Sequence, residues 1–528
     1  MALSMLASIP NLITHTRLPI IIKSSSCKAS PRGIKVKIGN SNCEEIIVRR
    51  TANYHPTIWD YDYVQSLRSD YVPMLGKVKK PLGQLELIDV LQRLGIYYHF
   101  KDEIKRILNS IYNQYNRAEE WQRDDLYATA LKFRLLRQHG YDVPQGVAVC
   151  FSRFKDETGS FKACLSSYLC AQGESTLEQA RDFSHRHLGK GLEQNIDQNL
   201  AIEVNHALEL PLHWRMPRLE ARWFIYVYEK RQDMNPILLE FAKLDFNMVQ
   251  ATHQEDLRHM SSWWRSTRLG EKLKFARDRL MENFLWTVGE MFEPQYGYYR
   301  RMSTKVNTLI TIIDDVYDVY GTLDELELLQ MLWDINAMDP LPEYMKLCFL
   351  ALYNSTNEMA YDALKEHDLC KSYLLKAKWY YSGYTPSLQE YISNSWISIS
   401  GPVILVHAYF LVANPITKEA LQSLERYHNI IRWSSMILRL SDDLGTSLVF
   451  ERGDVPKSIQ CYMYETGASE EEARKHISNL IGETWKKLNE DGAVEMGQFM
   501  YQHGDGHGIE YGETEDRVLS LLVEPFPA

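Results

Sequence analysis

Helical periodicity is the feature of this sequence that most restricts its fold. From Arg49 onward, apolar residues recur at the spacing of an α-helix, and no alternating stretch of the strand type has a useful length. One such run ends at Leu94 and is followed by Gly95, a residue that commonly ends helices. Asn235-Pro236 is a helix start, because a capping asparagine precedes a first-turn proline. The pattern predicts an all-α protein.

The length and the first residues of the chain predict its domain organisation. At 528 residues the chain is too long for one ordinary hydrophobic core, so we expect two helical domains. Residues 1–48 are basic and rich in serine, with no acidic residue before Glu44, which is typical of an organellar transit peptide. A disordered basic tail is the alternative. The predicted domains are then an N-terminal helical domain, 49–233, and a C-terminal metal-binding catalytic domain, 234–528.

Composition excludes several classes of function. The formal net charge of -10 argues against a nucleic-acid partner, which would require a basic surface. No apolar stretch approaches the length of a membrane span, so we expect no membrane insertion. The eight cysteines are scattered without a Cys-x-x-Cys pair, which favours reduced thiols. His503 and His507 are candidate zinc ligands, but the glycines between and beside them favour a mobile polar loop.

A cluster of acids follows an apolar run near the middle of the chain. Asp314, Asp315 and Asp318 come directly after Ile312 and Ile313. On an α-helix, residues four apart lie about 40° apart around the axis, so Asp314 and Asp318 share one face. Carboxylates so close repel each other unless a cation lies between them, and Mg²⁺ binds one or two carboxylates together with substrate phosphates. The motif therefore predicts a metal-held diphosphate; a solvated helix face is the alternative.

Two further motifs strengthen this prediction. Asp442 and Thr446 lie four residues apart in a second predicted helix, and Arg277 and Arg279 offer forked donors suited to phosphate oxygens. Each motif alone has an ordinary structural explanation. Together they supply two metal-binding helices and a cationic clamp.

With these motifs, nearly the whole chain after the leader resembles plant class I terpene synthases of the monoterpene type. Asp314-Asp315-x-x-Asp318 is similar to the aspartate-rich motif of that family, Arg277-x-Arg279 to its diphosphate-binding arginines, and Asp442-Asp443-x-x-Thr446 to the start of its second metal motif. Arg49-Arg50, followed by Trp59, resembles the tandem-arginine signature of its plastidial members. The resemblance implies an N-terminal α-barrel-like domain and a C-terminal catalytic bundle. It also implies a monomeric enzyme of the chloroplast stroma that acts on geranyl diphosphate, a prenyl diphosphate.

The resemblance further implies a role for each site residue. Three Mg²⁺ ions, for which Mn²⁺ can substitute, would have as ligands Asp314, Asp318, Asp442, Thr446 and Glu451. The substrate diphosphate would contact the same aspartates and the cationic side chains Arg277, Arg279, Arg439 and Lys457. Asp315 would orient its neighbours, Trp286 would stabilise a carbocation through its ring face, and Tyr501 would help to close the pocket. Arg49, Arg50 and Trp59 would latch a lid over it.

The chain also departs from the family pattern. Phe450 occupies the position where the second metal motif has glutamate, and Glu451 follows one residue later. On an ideal helix Glu451 lies about 180° from Asp442, so it reaches a shared metal only if the helix bulges or unwinds. Other stretches look shortened, near Tyr71, Cys164, Leu329, Cys370 and Val494.

Three functional hypotheses remain open at this point. The first is an active monoterpene synthase that releases an olefin or an alcohol. The second is a folded but catalytically impaired relative with an incomplete second metal site. The third is a prenyl transferase, whose second motif would repeat Asp-Asp-x-x-Asp.

Overall fold

The structure is a computed structural model, and it describes residues 83–114, 126–152, 157–193, 197–331, 340–359, 363–412, 427–446, 456–491 and 511–527. Within these ranges every regular element is helical, so the prediction of an all-α protein is confirmed. The first seven helices are α1 Gln84–Arg93, α2 Lys101–Gln114, α3 Leu126–Gln138, α4 Glu157–Ser167, α5 Ser175–Glu193, α6 Gln198–Glu209 and α7 Pro217–Glu229.

The remaining helices follow a short turn after Glu229. They are α8 Pro236–Thr267, α9 Leu269–Lys272, α10 Leu280–Glu290, α11 Gly297–Asp315, α12 Leu323–Met331, α13 Glu343–Met359, α14 Ala363–Ser382, α15 Leu388–Ser398, α16 Gly401–Val412, α17 Asn429–Thr446, α18 Ser458–Thr466, α19 Glu470–Glu490 and α20 Tyr511–Val518. None of the described helices is both long enough and apolar enough to cross a bilayer.

The helix boundaries predicted from sequence follow local chemistry. The Asn235 side chain accepts hydrogen bonds from the backbone N–H groups of Ile237 and Leu238, and Pro236 occupies the first turn of α8. After α1, Gly95 takes a positive φ of 73°. A Cβ atom at Gly95 would lie 2.7 Å from the Cβ of Ala221 on α7, so glycine also permits the close approach of these two helices. Both predicted boundaries are confirmed.

One apolar core joins the first helix to the later ones. Leu91 of α1 and Leu94 directly after it are buried in the same cluster as Phe224 of α7, Phe246 of α8 and Phe284 of α10. The C-terminal segment belongs to it as well: the Asn247 amide donates to the carbonyl of Phe526 at 2.9 Å. The predicted boundary at residue 233 falls in the turn between α7 and α8. The division into two domains stays a prediction, because buried contacts are continuous across this turn.

A buried ion network holds the first helices together. Asp89 on α1 accepts hydrogen bonds from Arg134 on α3 and, at 2.7 Å, from Lys162 on α4. All three side chains are less than one-tenth exposed. A network of this kind is costly to break, because each remaining charge would stay buried without its partner.

We expect Asp89→Ala to destabilise the protein by about 3–5 kcal/mol, since Arg134 and Lys162 would lose their shared carboxylate. Urea unfolding followed by circular dichroism measures the change. Asp182→Ala is the matched control: this carboxylate is exposed and lies 3.9 Å from Arg181, so its loss should cost less than about 0.5 kcal/mol. Equal effects of the two substitutions would contradict the structural role of Asp89.

A second prediction concerns Glu282 on α10, a carboxyl that is only 8% exposed. Burial raises the pKa of Glu282 from 4.5 to about 7. The folded protein therefore binds this proton more readily than the unfolded chain does, so stability falls as the pH rises from 4.5 towards 7. Relative to wild type, Glu282→Gln should gain about 1–3 kcal/mol between pH 5 and pH 7.5. Urea unfolding at several pH values measures the free energy of unfolding, with Glu271→Gln, at an exposed position, as control. If the free energies of wild type and Glu282→Gln changed with pH in parallel, the prediction would be refuted.

Candidate active site

The aspartate-rich motif lies where α11 ends. The α-helix stops at Asp315, and residues Val316–Tyr320 form one π-helical turn, closed by a 2.8 Å hydrogen bond from the N–H of Gly321 to the carbonyl of Val316. A Cβ atom at Gly321 would lie 2.9 Å from that carbonyl oxygen, so glycine allows the turn to close. Our expectation of regular α-helix through Asp318 is therefore wrong in its geometry. Single π-turns of this kind occur often at functional sites.

Arg277 binds the first two aspartates of the motif. It lies in the segment between α9 and α10. Its guanidinium donates to Asp314 Oδ2 at 2.7 Å, and its backbone N–H donates to Asp315 Oδ2 at 2.6 Å. Asp315 is fully buried, and burial raises the pKa of its carboxyl to about 7 even though Arg277 opposes the shift. Asp315 thus holds the segment between α9 and α10, which contains Arg277, against α11. Asp314 remains partly exposed.

Lys376 on α14 contacts the third aspartate, Asp318, and also approaches Asp314. Its Nζ lies 2.6 Å from Asp318 Oδ2 and 3.8 Å from Asp314 Oδ1. Burial alone would lower the pKa of this ammonium, but the charges of Asp318 and Asp314 raise it overall. The side chain is therefore a cation that two carboxylates approach from α11 and the π-turn.

In the second motif, as in the first, one arginine pairs with two adjacent aspartates, and here all three residues lie on α17. The Arg439 guanidinium pairs with Asp442 and, at 2.6 Å, with Asp443 Oδ1. Asp443 is fully buried and also accepts hydrogen bonds from the Tyr391 hydroxyl of α15 at 3.0 Å and from the Ser458 backbone N–H at 3.2 Å. Asp443 therefore ties α17 to α15 and to the start of α18.

Thr446 closes the described part of the second motif. Its hydroxyl donates to the carbonyl of Asp442 at 2.7 Å, and it accepts a hydrogen bond from Lys457 Nζ, also at 2.7 Å. Lys457 is thus brought to the same helix face as Asp442, as a residue of an anion-binding clamp should be.

Helix α14 and its neighbours connect the two acidic motifs. α14 packs against the π-turn, α15 and α16, and both α15 and α16 pack against α17. The electrostatic interactions agree with this packing, because the positive charge of Arg439 opposes the rise in the pKa of Lys376 that Asp318 and Asp314 cause. The structure therefore brings together Arg277, the first aspartate motif, Arg439 and the second motif.

Two other predicted residues lie beside this region. Arg279 directly precedes the first residue of α10, is buried, and donates to the carbonyl of Asp278 at 3.0 Å. Its charge acts on Asp278 and Glu282, whose carboxyl pKa values burial raises and Arg279 partly lowers. Trp286 is half-buried on α10 and packs against the apolar cluster that α17 and α19 share.

The carboxylates fit a divalent cation of the magnesium type. Asp314 and Asp318 already approach one positive atom, Lys376 Nζ, which marks a position that one cation can share. In the described ranges, no group of three or more His, Cys, Asp or Glu side chains converges on a single point. Mg²⁺ is a hard cation that binds one or two carboxylates and completes its coordination shell with water and substrate phosphate.

Several predicted residues lie outside the described ranges, and their roles stay predictions: Arg49, Arg50, Trp59, Phe450, Glu451, Tyr501, His503 and His507.

Sequence reasoning missed Lys376, Tyr391 and Ser458. Lys376 is 58 residues from Asp318 in the chain, and Tyr391 is 52 residues from Asp443. Neither lies in a motif with metal-binding or phosphate-binding spacing. The only available signal was general: buried acids require buried cations or donors from somewhere in the chain.

Family models match both halves of the chain. Residues 48–208 match the terpene synthase N-terminal domain, and residues 265–487 match the metal binding domain of the terpene synthase family. The chain is 83% identical to (-)-alpha-terpineol synthase of Vitis vinifera, over all of this chain and 99% of the relative. That alignment spans 589 positions against the 528 residues of the chain, so the chain lacks residues that the relative has. Several other relatives are named chloroplastic.

Solved structures agree with this relationship. A limonene synthase with 2-fluorolinalyl diphosphate superposes with a TM-score of 0.84 at 43% identity, covering 91% of this chain and 100% of the other. Isoprene synthase from grey poplar, in complex with three Mg²⁺ ions and dimethylallyl-S-thiolodiphosphate, gives a TM-score of 0.78 at 44% identity, covering 84% and 92%. Together with the two acidic helices, these matches establish that the chain belongs to the terpene synthase family, as a class I monoterpene synthase.

Proposed function

We propose that the chain converts geranyl diphosphate and water to α-terpineol and diphosphate, with three Mg²⁺ ions. The observation that carries the reaction type is the approach of Asp314 and Asp318 to one cation position beside Arg277, where the charge of Arg439 also acts. The product rests on the 83% identity to (-)-alpha-terpineol synthase. The number of ions rests on the isoprene synthase complex.

Each side chain has a definite task in this proposal. Asp314, Asp318, Asp442 and Thr446 would supply oxygen ligands, and Glu451, one residue after the family's glutamate position, would be the further ligand. When bound, the divalent ions act as Lewis acids that neutralise charge developing on the departing diphosphate. Arg277, Arg439 and Lys457 bind diphosphate oxygens with charge-assisted hydrogen bonds. Asp315 and Asp443 are positioning residues, since each holds an arginine of the clamp.

The fate of the substrate's hydrocarbon chain follows from the positive charge that ionisation leaves on it. When the allylic carbon–oxygen bond breaks, both electrons leave with the diphosphate, and a carbocation remains. The half-buried ring of Trp286 offers a face that stabilises this carbocation electrostatically without forming a covalent bond to it. After ring closure, a water oxygen bonds to the cationic carbon and releases one proton. Because other nucleophiles would end the reaction early, the apolar helices must exclude all but this water.

We further propose that the protein is a monomer of the plastid stroma. The basic, serine-rich residues 1–48 and the chloroplastic names of several relatives support the compartment. Chloroplast import followed by fractionation tests it, and size-exclusion chromatography with light scattering tests the oligomeric state.

We expect purified protein incubated with geranyl diphosphate and Mg²⁺ to release α-terpineol, measured by gas chromatography and mass spectrometry. In H₂¹⁸O the alcohol should carry the label, because its oxygen comes from water. Hydrocarbons alone would refute α-terpineol as the product, but they would agree with metal-dependent ionisation of geranyl diphosphate. Longer diphosphates would indicate a prenyl transferase, and unchanged substrate would indicate an impaired relative.

Asp314→Ala should lower kcat by at least about 100-fold, since one of the two carboxylates that approach the cation position is lost. Circular dichroism should show unchanged helix content, because Asp314 is partly exposed. Asp324→Ala, on the exposed face of α12, is the matched control and should leave turnover unchanged. Retained activity in Asp314→Ala would show that the first metal site is assigned to the wrong residue.

A further inference from the structure

One lysine occupies the position that the proposed function assigns to a metal ion. Lys376 Nζ lies 2.6 Å from Asp318 Oδ2 and 3.8 Å from Asp314 Oδ1, and its side chain is only 11% exposed. The other oxygen of Asp314 accepts a hydrogen bond from Arg277. Both Asp314 oxygens therefore face cations of the protein itself.

An ammonium in this position affects a metal ion in a definite direction. Lysine has three donor hydrogens and no lone pair when charged, so it cannot serve as a ligand. Its positive charge repels a divalent cation, and the repulsion is stronger in a buried site than in water. A metal that binds Asp314 and Asp318 must therefore displace the ammonium or bind against its charge.

We propose that Lys376 is an internal counter-cation that competes with the divalent metal for Asp314 and Asp318. This inference rests on the proposed function, since it takes these two aspartates as ligands. In the metal-free protein, the ammonium keeps the two carboxylates close despite their repulsion. Metal affinity is consequently weaker than the carboxylates alone would provide.

The same arrangement couples metal binding to substrate binding. When the metal takes the carboxylates, the displaced ammonium needs another anion, and the diphosphate of the substrate is the nearest one that the reaction supplies. Diphosphate should therefore increase metal affinity in the wild-type protein, and by linkage the metal should increase diphosphate affinity to the same degree. Much of this coupling should disappear when residue 376 has no charge.

Manganese binding to the full chain tests the proposal without any turnover. Isothermal titration of Mn²⁺ should show affinity at least about tenfold tighter for Lys376→Gln and Lys376→Met than for wild type. Lys376→Arg keeps the charge and should bind Mn²⁺ no more tightly than wild type. Lys378→Gln is the matched control, since Lys378 lies on the same helix, exposed, and pairs with Glu327 at 3.2 Å; its Mn²⁺ affinity should not change.

Thermal unfolding provides a second measurement. In EDTA, Lys376→Gln should melt below wild type, because the carboxylates lose their counter-cation, and added Mg²⁺ should raise its Tm more than that of wild type. A lower Tm with an unchanged Mn²⁺ affinity would mean that Lys376 forms only a structural ion pair, which would overturn the proposal. If Lys376→Gln does not fold, the comparison of Lys376→Met with Lys376→Arg decides: equal Mn²⁺ affinities would overturn it.

A double variant separates this inference from the function on which it rests. Adding Asp314→Ala to Lys376→Gln should abolish the gain in Mn²⁺ affinity. If Mn²⁺ binding is unaffected by Asp314→Ala in either background, the metal site itself is misassigned and the proposed function fails with it. If binding depends on Asp314 but not on the charge at residue 376, only the counter-cation proposal is refuted.

Discussion

Charge compensation of buried carboxylates is the interaction on which the site depends. Ionised acids do not persist inside an apolar helical protein unless cations or hydrogen-bond donors accompany them. In this protein the partners come from separate elements: Arg277 from the segment before α10, Lys376 from α14 and Arg439 from α17. The Arg277 and Lys376 pairs tie α11 and the π-turn to the segment before α10 and to α14, whereas Arg439 pairs with aspartates of its own helix. The geometry of the site is therefore set by the same contacts that make its burial possible.

The two aspartate pairs divide their tasks in the same way. In each pair the second residue, Asp315 or Asp443, is completely buried and holds an arginine. The first residue, Asp314 or Asp442, bonds to that same arginine. A tandem Asp-Asp sequence thus combines an anchor with a candidate ligand at adjacent positions.

Much of the fold and part of the site were predictable from the sequence, and the limit has a physical cause. The start of α8 at Asn235-Pro236 and the end of α1 before Gly95 depend on local backbone chemistry, which a short stretch of sequence contains. The aspartate motif was visible because helical spacing is also local. Lys376 and Tyr391 were not, because their partners are far away in the chain and lysine and tyrosine are ordinary residues of helix surfaces and cores. The π-turn at Val316 was missed because it is closed by one hydrogen bond from Gly321 to the Val316 carbonyl, at a position with no room for a side chain, rather than by any repeating pattern.

The apolar cluster that includes Leu91, Phe246 and Phe284 has a consequence for how this architecture can be divided. Its members belong to helices far apart in sequence, and the chain end returns to the same place through Phe526. Deletion of the leading helices would expose apolar surface on α8 and α10 to solvent and favour aggregation. The helices that carry the catalytic residues thus share a hydrophobic core with the leading helices, and neither group should fold stably without the other.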